Sequence, residues 1–182
     1  MTLLILGLIL WIVAHYFKRL APDLRASMGN PGKGVVALLI VVSVLAMIFG
    51  YKWAPFIPVW FPPAFMVHIN NLLMLVAFFV YGMSATTGRL RGKMRHPQLT
   101  AVKIWAVAHL LVNGDLASII LFGGLLAWAI GSVILINRAE PDWKRPKPGD
   151  AKKDILVVVI TLVMFGVVAG IHIWAGVWPF PG

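Results

Sequence analysis

The stretch RHPQLTAVKIWAVAHLLVNGDLASIILFGGLLAWAIG, residues 95–131, decides the fold of this chain. It consists of two apolar blocks joined by Asn113-Gly114-Asp115, residue types that favour a tight turn. The blocks have about the length that crosses the hydrocarbon core of a bilayer, roughly 30 Å thick. The first block also contains Lys103 and His109. Ionisable side chains at membrane depth usually face a bundle interior and mark a working site, so we expect the other helices to pack around this pair.

Composition places the whole chain among integral membrane proteins. Of its 182 residues, 60% are hydrophobic and only 12% are charged, and the apolar residues occur in long blocks. The absence of cysteine excludes disulfides, iron–sulfur clusters and thiolate ligands. The net charge of +10 lies in loops between apolar blocks, which is typical of membrane proteins. We therefore expect membrane lipid around the chain and no nucleic-acid partner.

Six apolar segments predict an all-α bundle of six transmembrane helices, forming a single domain over residues 1–182. The predicted helices cover about residues 1–17, 34–53, 64–85, 97–113, 116–136 and 155–177. Loops one, three and five carry four, four and six Lys or Arg residues. Because such loops stay on the cytoplasmic side, both termini are predicted on the non-cytoplasmic side.

Small residues and caps indicate how these helices begin and pack. Asp115 is predicted to cap the N-terminus of the fifth helix. Small residues four apart let another helix approach closely, within the chain or in an oligomer. Two such stripes are present, one formed by Gly123, Ala127 and Gly131 and the other by Gly166 and Gly170.

One face of the fourth predicted helix is polar. At about 100° per residue, a single arc contains His96, Lys103, Ala106, His109 and Asn113. Satisfied polar residues would have no reason to share a face, so the arc predicts a functional site inside the bundle. The lysine there either extends its stem to the cytoplasmic headgroups or pairs with an anion, such as a cofactor carboxylate.

The remaining histidines extend this candidate site. The predicted topology places His68, His109 and His172 in the outer half of the membrane, and His15 and His96 toward the cytoplasm. Imidazoles inside a helical bundle suit axial ligation of haem, but they also suit a metal site or a hydrogen-bonded polar core without a cofactor. A closed zinc site is disfavoured because carboxylates are scarce in the helices. His15 also fits an interfacial position beside the headgroups.

The same stretch resembles a known family. RHPQL followed by VKIWAVAHLLVNGDLASIILFG looks like the signature of the NnrU family, and the resemblance extends to HINNLLMLVAFF and GIHIWAGVWPF. It implies a protein of the bacterial cytoplasmic (inner) membrane, linked to denitrification components and needed for nitrite and nitric oxide reductase expression or function. The family is also similar to plant 15-cis-zeta-carotene isomerase, a haem b enzyme.

That similarity implies a cofactor and its ligands. The haem b histidines of the isomerase correspond to His109 and His15, whereas the predicted depths favour His109 with His68 or His172. The isomerase cysteine three positions before the WAVAH histidine is Ala106 here, so a cysteine-dependent ligand switch does not carry over. The candidate cofactor-binding residues are His109, His15, His68, His172, Lys103, His96, Arg95 and Asn113. The implied function is a haem-dependent redox or isomerase component of nitrogen-oxide metabolism.

Two alternatives to a haem protein remain open. One is a non-enzymatic membrane accessory protein whose histidines form a structural polar core. The other is a membrane methyltransferase that uses S-adenosylmethionine, because RHP before a membrane hairpin also resembles those enzymes. They continue to a paired glutamate, and this chain has only RAEPD at residues 138–142.

Overall fold

The computed structural model describes residues 1–180, and within them regular structure is helical. The helices are α1 (Thr2–Leu20), α2 (Pro22–Ser27), α3 (Pro31–Lys52), α4 (Met66–Ala85), α5 (Pro97–Val112), α6 (Leu116–Ala139) and α7 (Lys152–Trp174), with one 3₁₀ turn at Leu90–Lys93. Five of them, α1, α3, α4, α6 and α7, are long and apolar enough to cross a membrane. α5 is also apolar but has only 16 residues. The count of six crossings and their orientation therefore stay predictions.

The helices divide into two compact units. Of the described residues, the first unit contains 1–61 and 114–139, and the second contains 62–113 and 140–180. Thus α5, with Lys103 and His109, packs with α4 and α7, while α1, α3 and α6 pack among themselves. The expectation that the other helices pack around Lys103 and His109 is met by α4 and α7 and stays a prediction for the helices of the first unit.

In the first unit, glycines bring α1 against α3 and α6. A Cβ on Gly7 would lie 2.8 Å from the Met47 amide nitrogen, and a Cβ on Gly50 would overlap the Leu4 backbone. On α6, Cβ atoms on Gly124 and Gly131 would overlap Leu8 and Tyr16 of α1. These contacts need backbone surfaces without side chains, which is the usual role of glycine in packed membrane helices.

The predicted stripes of small residues are only partly used. Gly131 is in close contact, but nothing lies within 4 Å of a Cβ on Gly123, and Ala127 is exposed. The contact on α6 runs through Gly124 instead, because the buried face is rotated by one residue from the predicted one. Cβ atoms on Gly166 and Gly170 would also meet nothing within 4 Å, so this stripe takes no part in packing among the described residues.

The turn between α5 and α6 begins the last helix of the first unit. The Ser118 amide donates to Asp115 Oδ1 at 3.0 Å, and the Ser118 hydroxyl also contacts this carboxylate, which confirms the predicted cap. The Leu116 amide donates to the Ile57 carbonyl at 2.9 Å, and the amides of Val59 and Trp60 donate to the Gly114 carbonyl. The proline-rich segment after α3 is thereby joined to the start of α6.

In the second unit, a small apolar core lies where α4, α5 and α7 meet. Val80 and Met83 of α4 are buried with Ala101 of α5 and Val157 of α7. At the same end, the Leu90 amide donates to Asp154 Oδ1 at 3.1 Å, so the basic loop after α4 is attached to the start of α7. This packing sets the relative positions of α5 and α7, which carry two of the candidate histidines.

Candidate functional site

Two imidazole rings face each other in the second unit. The ring centroids of His109 on α5 and His172 on α7 are 6.4 Å apart, and the ring planes are inclined by 38°. Both side chains are partly buried. Of the two partners that predicted depth favoured for His109, the structure brings His172 into contact with it, whereas the His68 side chain on α4 is exposed.

Each of the two rings is oriented by a hydrogen bond to the carbonyl oxygen four residues earlier. His109 Nδ1 lies 2.9 Å from the Trp105 carbonyl oxygen, and His172 Nδ1 lies 2.8 Å from the Val168 carbonyl oxygen. A carbonyl can only accept, so the proton of each bond is on Nδ1 and, in the neutral ring, Nε2 carries the lone pair. A histidine that donates through one nitrogen and ligates through the other is the usual arrangement at metal sites.

Neighbouring groups hold this histidine pair in place. The Trp105 ring lies 5.1 Å from the His109 ring, between centroids, and the Asn113 amide donates to the His109 carbonyl at 2.8 Å. After His172 the chain reverses, because the Val177 amide donates to the His172 carbonyl at 2.9 Å. Asn113 therefore acts on the backbone of α5 and holds the end of the helix that presents His109.

The polar arc on α5 is only partly an interior face. Ala106 is completely buried, as predicted, and Lys103 is partly buried. However, Ala101 and Ala108 outside the arc are buried as well, so α5 is covered on more than one side. Lys103 forms no hydrogen bond or ion pair with another residue of the described chain. Its ammonium is thus available either to headgroups or to an anionic ligand.

Arg95 and His96 have structural positions at the start of α5. His96 is the N-cap residue of the helix and is partly buried. The Arg95 guanidinium donates to the Pro141 carbonyl at 3.3 Å and to the Glu140 carbonyl, so it links the loop before α5 to the segment after α6. In this position the Arg95 side chain binds backbone carbonyl groups and does not contact the histidine pair.

His15 lies in the first unit, in a separate aromatic cluster. Its ring centroid is 4.0 Å from that of Trp11 and 4.9 Å from that of Trp128, and the two indole rings are 5.1 Å apart. His15 Nδ1 is 2.8 Å from the Trp11 carbonyl oxygen, so its Nε2 is free of that bond. The Tyr16 hydroxyl donates to the Trp128 carbonyl at 2.8 Å and joins α1 to α6 beside this cluster.

Comparison with known protein families assigns the chain to one of them. The NnrU protein family model matches residues 3–179, almost the whole length. The chain belongs to the NnrU family. A comparison with curated proteins and another with solved structures each found no match.

A repeat in this NnrU-family chain relates the two histidine clusters. Residues 11–15 read WIVAH and residues 105–109 read WAVAH. In both, the histidine bonds the carbonyl of the tryptophan four positions earlier and lies against its ring. The sequence interpretation missed this repeat, which would have indicated Trp11 and Trp105 as partners of the two histidines. Trp128 carries no comparable signal, because its contact with His15 comes from the packing of α6 against α1.

The structure brings together two histidine side chains and no larger group of ligating residues within the described part of the chain. Within residues 1–180, no three His, Asp or Glu side chains form a group that would hold a metal ion. The pair of His109 and His172 supplies two nitrogen donors from different helices. Haem iron needs only two protein donors, since the porphyrin provides the other four.

Proposed function

We propose that this chain is a haem b-binding integral membrane protein that acts in the nitrogen-oxide metabolism of denitrifying bacteria. His109 and His172 are the residues that would hold the haem iron. Membership of the NnrU family supports the metabolic setting, and the histidine pair in the second unit supports the cofactor. The bound haem would supply one-electron redox chemistry, as a redox component or in an isomerase-like reaction.

The spacing of the two imidazoles is the observation that carries this proposal. Bonds from histidine nitrogen to a metal are about 2.0–2.1 Å long, so two imidazoles on opposite sides of one metal have centroids roughly 6 Å apart. The observed separation is 6.4 Å. The separation is therefore compatible with one iron held between His109 and His172.

The protein's own residues would prepare the site before the cofactor binds. The Trp105 and Val168 carbonyls fix the Nδ1 protons of the two rings and orient them. A donor already held in its bonding orientation loses less conformational freedom on binding. The buried Ala106, adjoining Trp105 in sequence, presents only a methyl group on the arc between Lys103 and His109.

Lys103 is proposed to pair with a haem propionate. It lies six residues before His109 on α5, about 9 Å along the helix axis. An ammonium inside a membrane protein needs an anion or a path to water, and no described residue provides the anion. Lys103 would then hold the carboxylate of a bound haem from α5.

The proposed topology has six crossings with both termini outside the cytoplasm. At about 1.5 Å per residue, the 16 residues of α5 extend roughly 24 Å, which spans most of the hydrocarbon core. The three basic loops then lie together in the cytoplasm. A reporter enzyme fused to the C-terminus should be active only outside the cytoplasm, and a cytoplasmic signal would contradict this topology.

The absorption spectrum of the purified protein tests the function. We expect a Soret band and haem in stoichiometric amount after expression with added haem precursor. His109→Ala and His172→Ala should lose most of the haem, because each removes one of two axial donors. His68→Ala is the matched control, since the His68 side chain is exposed on α4, and it should retain the wild-type spectrum.

The resemblance to the isomerase supports a different second ligand, His15, and the repeated W-x-V-A-H motif favours the same pairing. His15→Ala distinguishes the two ligand sets. Loss of haem in His15→Ala together with retention in His172→Ala would replace His172 by His15. A wild-type protein without a Soret band would instead favour an accessory protein with a structural polar core.

A further inference from the structure

The aromatic cluster of the first unit contains two hydrogen-bond donors without acceptors. The indole nitrogens of Trp11 and Trp128 are shielded from solvent, and neither has a hydrogen-bond partner among the described residues. The Trp128 side chain is only 8% exposed. A buried N–H group without an acceptor is costly, and in a membrane no bulk water can compensate it. Two such groups beside one histidine indicate that something else completes this cluster.

His15 adds an acceptor to the two donors. Because His15 Nδ1 donates to the Trp11 carbonyl, its Nε2 carries a lone pair in the neutral ring. A ligand that satisfies all three groups must donate one hydrogen bond to His15 and accept one from each indole. A hydroxyl group does both, whereas a ketone or carboxylate accepts only, and an ammonium donates only.

We propose that Trp11, His15 and Trp128 bind the hydroxyl group of a membrane-soluble aromatic alcohol, of the chemical class of the quinols. The hydroxyl would donate to His15 Nε2 and accept from the indole N–H groups. The aromatic ring of the ligand is favoured because the three protein rings, 4.0–5.1 Å apart, present an aromatic wall. No histidine besides His15 lies in this unit, so a second histidine ligand to one iron is not available within it.

Part of the cluster is exposed at the surface of the protein. The Trp11 and His15 side chains are both partly exposed. A ligand dissolved in the bilayer would therefore reach the cluster through this exposed part. The proposal does not depend on haem at His109 and His172, since all of its residues belong to the other unit.

Binding of a benzoquinol with a decyl tail to the detergent-solubilised full chain tests the proposal. We expect saturable quenching of tryptophan fluorescence, with weaker binding by the matching quinone and by the quinol dimethyl ether, because neither can donate to His15 Nε2. Trp11→Phe, Trp128→Phe and His15→Ala should each weaken binding by about 5- to 10-fold, the usual effect of one hydrogen bond. Trp53→Phe, at a residue 68% exposed in the same unit, should bind like the wild type.

Nuclear magnetic resonance of ¹⁵N-labelled indoles gives a second measurement. It detects contact between the quinol and the indole N–H groups even where a variant leaves the binding affinity unchanged. The quinol should shift two indole N–H resonances, and Trp11→Phe and Trp128→Phe should each remove one of them. Equal binding of quinol and dimethyl ether, or unshifted indole resonances, would overturn the proposal. Haem loss in His15→Ala would also overturn it, because His15 Nε2 would then be an iron ligand.

Discussion

Substitution of Gly50 by alanine is expected to destabilise the first unit, and the reason is a contact with backbone. A Cβ at this position would lie 2.7 Å from the Leu4 Cα and 2.8 Å from the Leu3 carbonyl carbon. Both distances are far shorter than a normal carbon–carbon contact of about 3.5–4.0 Å. Because backbone atoms cannot rotate away as a flexible side chain can, α1 would have to shift relative to α3.

The size of the effect follows from two opposing contributions. Overpacking of a tightly packed interior costs about 1–3 kcal/mol, and a contact with backbone belongs at the upper end of this range. Replacing glycine by alanine inside a helix contributes about 1 kcal/mol in the opposite direction. We therefore expect Gly50→Ala to lower the free energy of unfolding by about 2 kcal/mol.

Unfolding in mixed micelles, followed by circular dichroism as the fraction of denaturing detergent rises, measures this difference. Gly34→Ala is the matched control on the same helix, because nothing lies within 4 Å of a Cβ there. It should leave stability unchanged or raise it by up to about 1 kcal/mol. If Gly50→Ala proved as stable as Gly34→Ala, the close approach of α1 to α3 would be refuted.

Two further predictions concern the second unit and the turn. Lys103→Met should reduce haem retention in the purified protein without reducing membrane insertion. Lys103→Arg should retain more haem than Lys103→Met, because it keeps the positive charge. A normal haem content in Lys103→Met would mean that the lysine only reaches the lipid headgroups. Asp115→Ala should cost about 1 kcal/mol in the same unfolding assay, because the Ser118 amide and hydroxyl lose their acceptor, whereas Asp115→Asn should cost less. Equal stability of Asp115→Ala and Asp115→Asn would contradict a capping role.

Helix positions were predictable because they depend on local properties of the chain. Apolar blocks bounded by basic and turn residues predicted each long helix, and the described helices begin and end within three residues of the predicted limits. The cap by Asp115 was predictable for the same reason, since it involves residues three apart. The short helix α2 and the 3₁₀ turn were not predicted, because polar loop sequences are compatible with several local conformations.

Packing faces were harder to predict, because lipid and protein interiors are both apolar. Adjacent glycines at positions 123 and 124 make two faces of α6 equally suitable for close approach, and only the contact with Leu8 selects Gly124. In the same way, Gly50 lies in a largely apolar helix, where no pattern indicates that it meets Leu4. Such choices depend on the partner helix, which a single apolar sequence does not specify.

The two W-x-V-A-H segments separate the local contribution from the tertiary one. In both, the spacing of four residues places the histidine against the tryptophan ring and its Nδ1 on the tryptophan carbonyl, so the local sequence already sets the orientation of the imidazole. What each Nε2 can serve depends on the helix packed opposite. α7 brings a second imidazole to His109, whereas α6 brings an indole with an unpaired N–H to His15. Under the two proposals above, the same local hydrogen bond would present an iron ligand in one unit and a hydroxyl acceptor in the other.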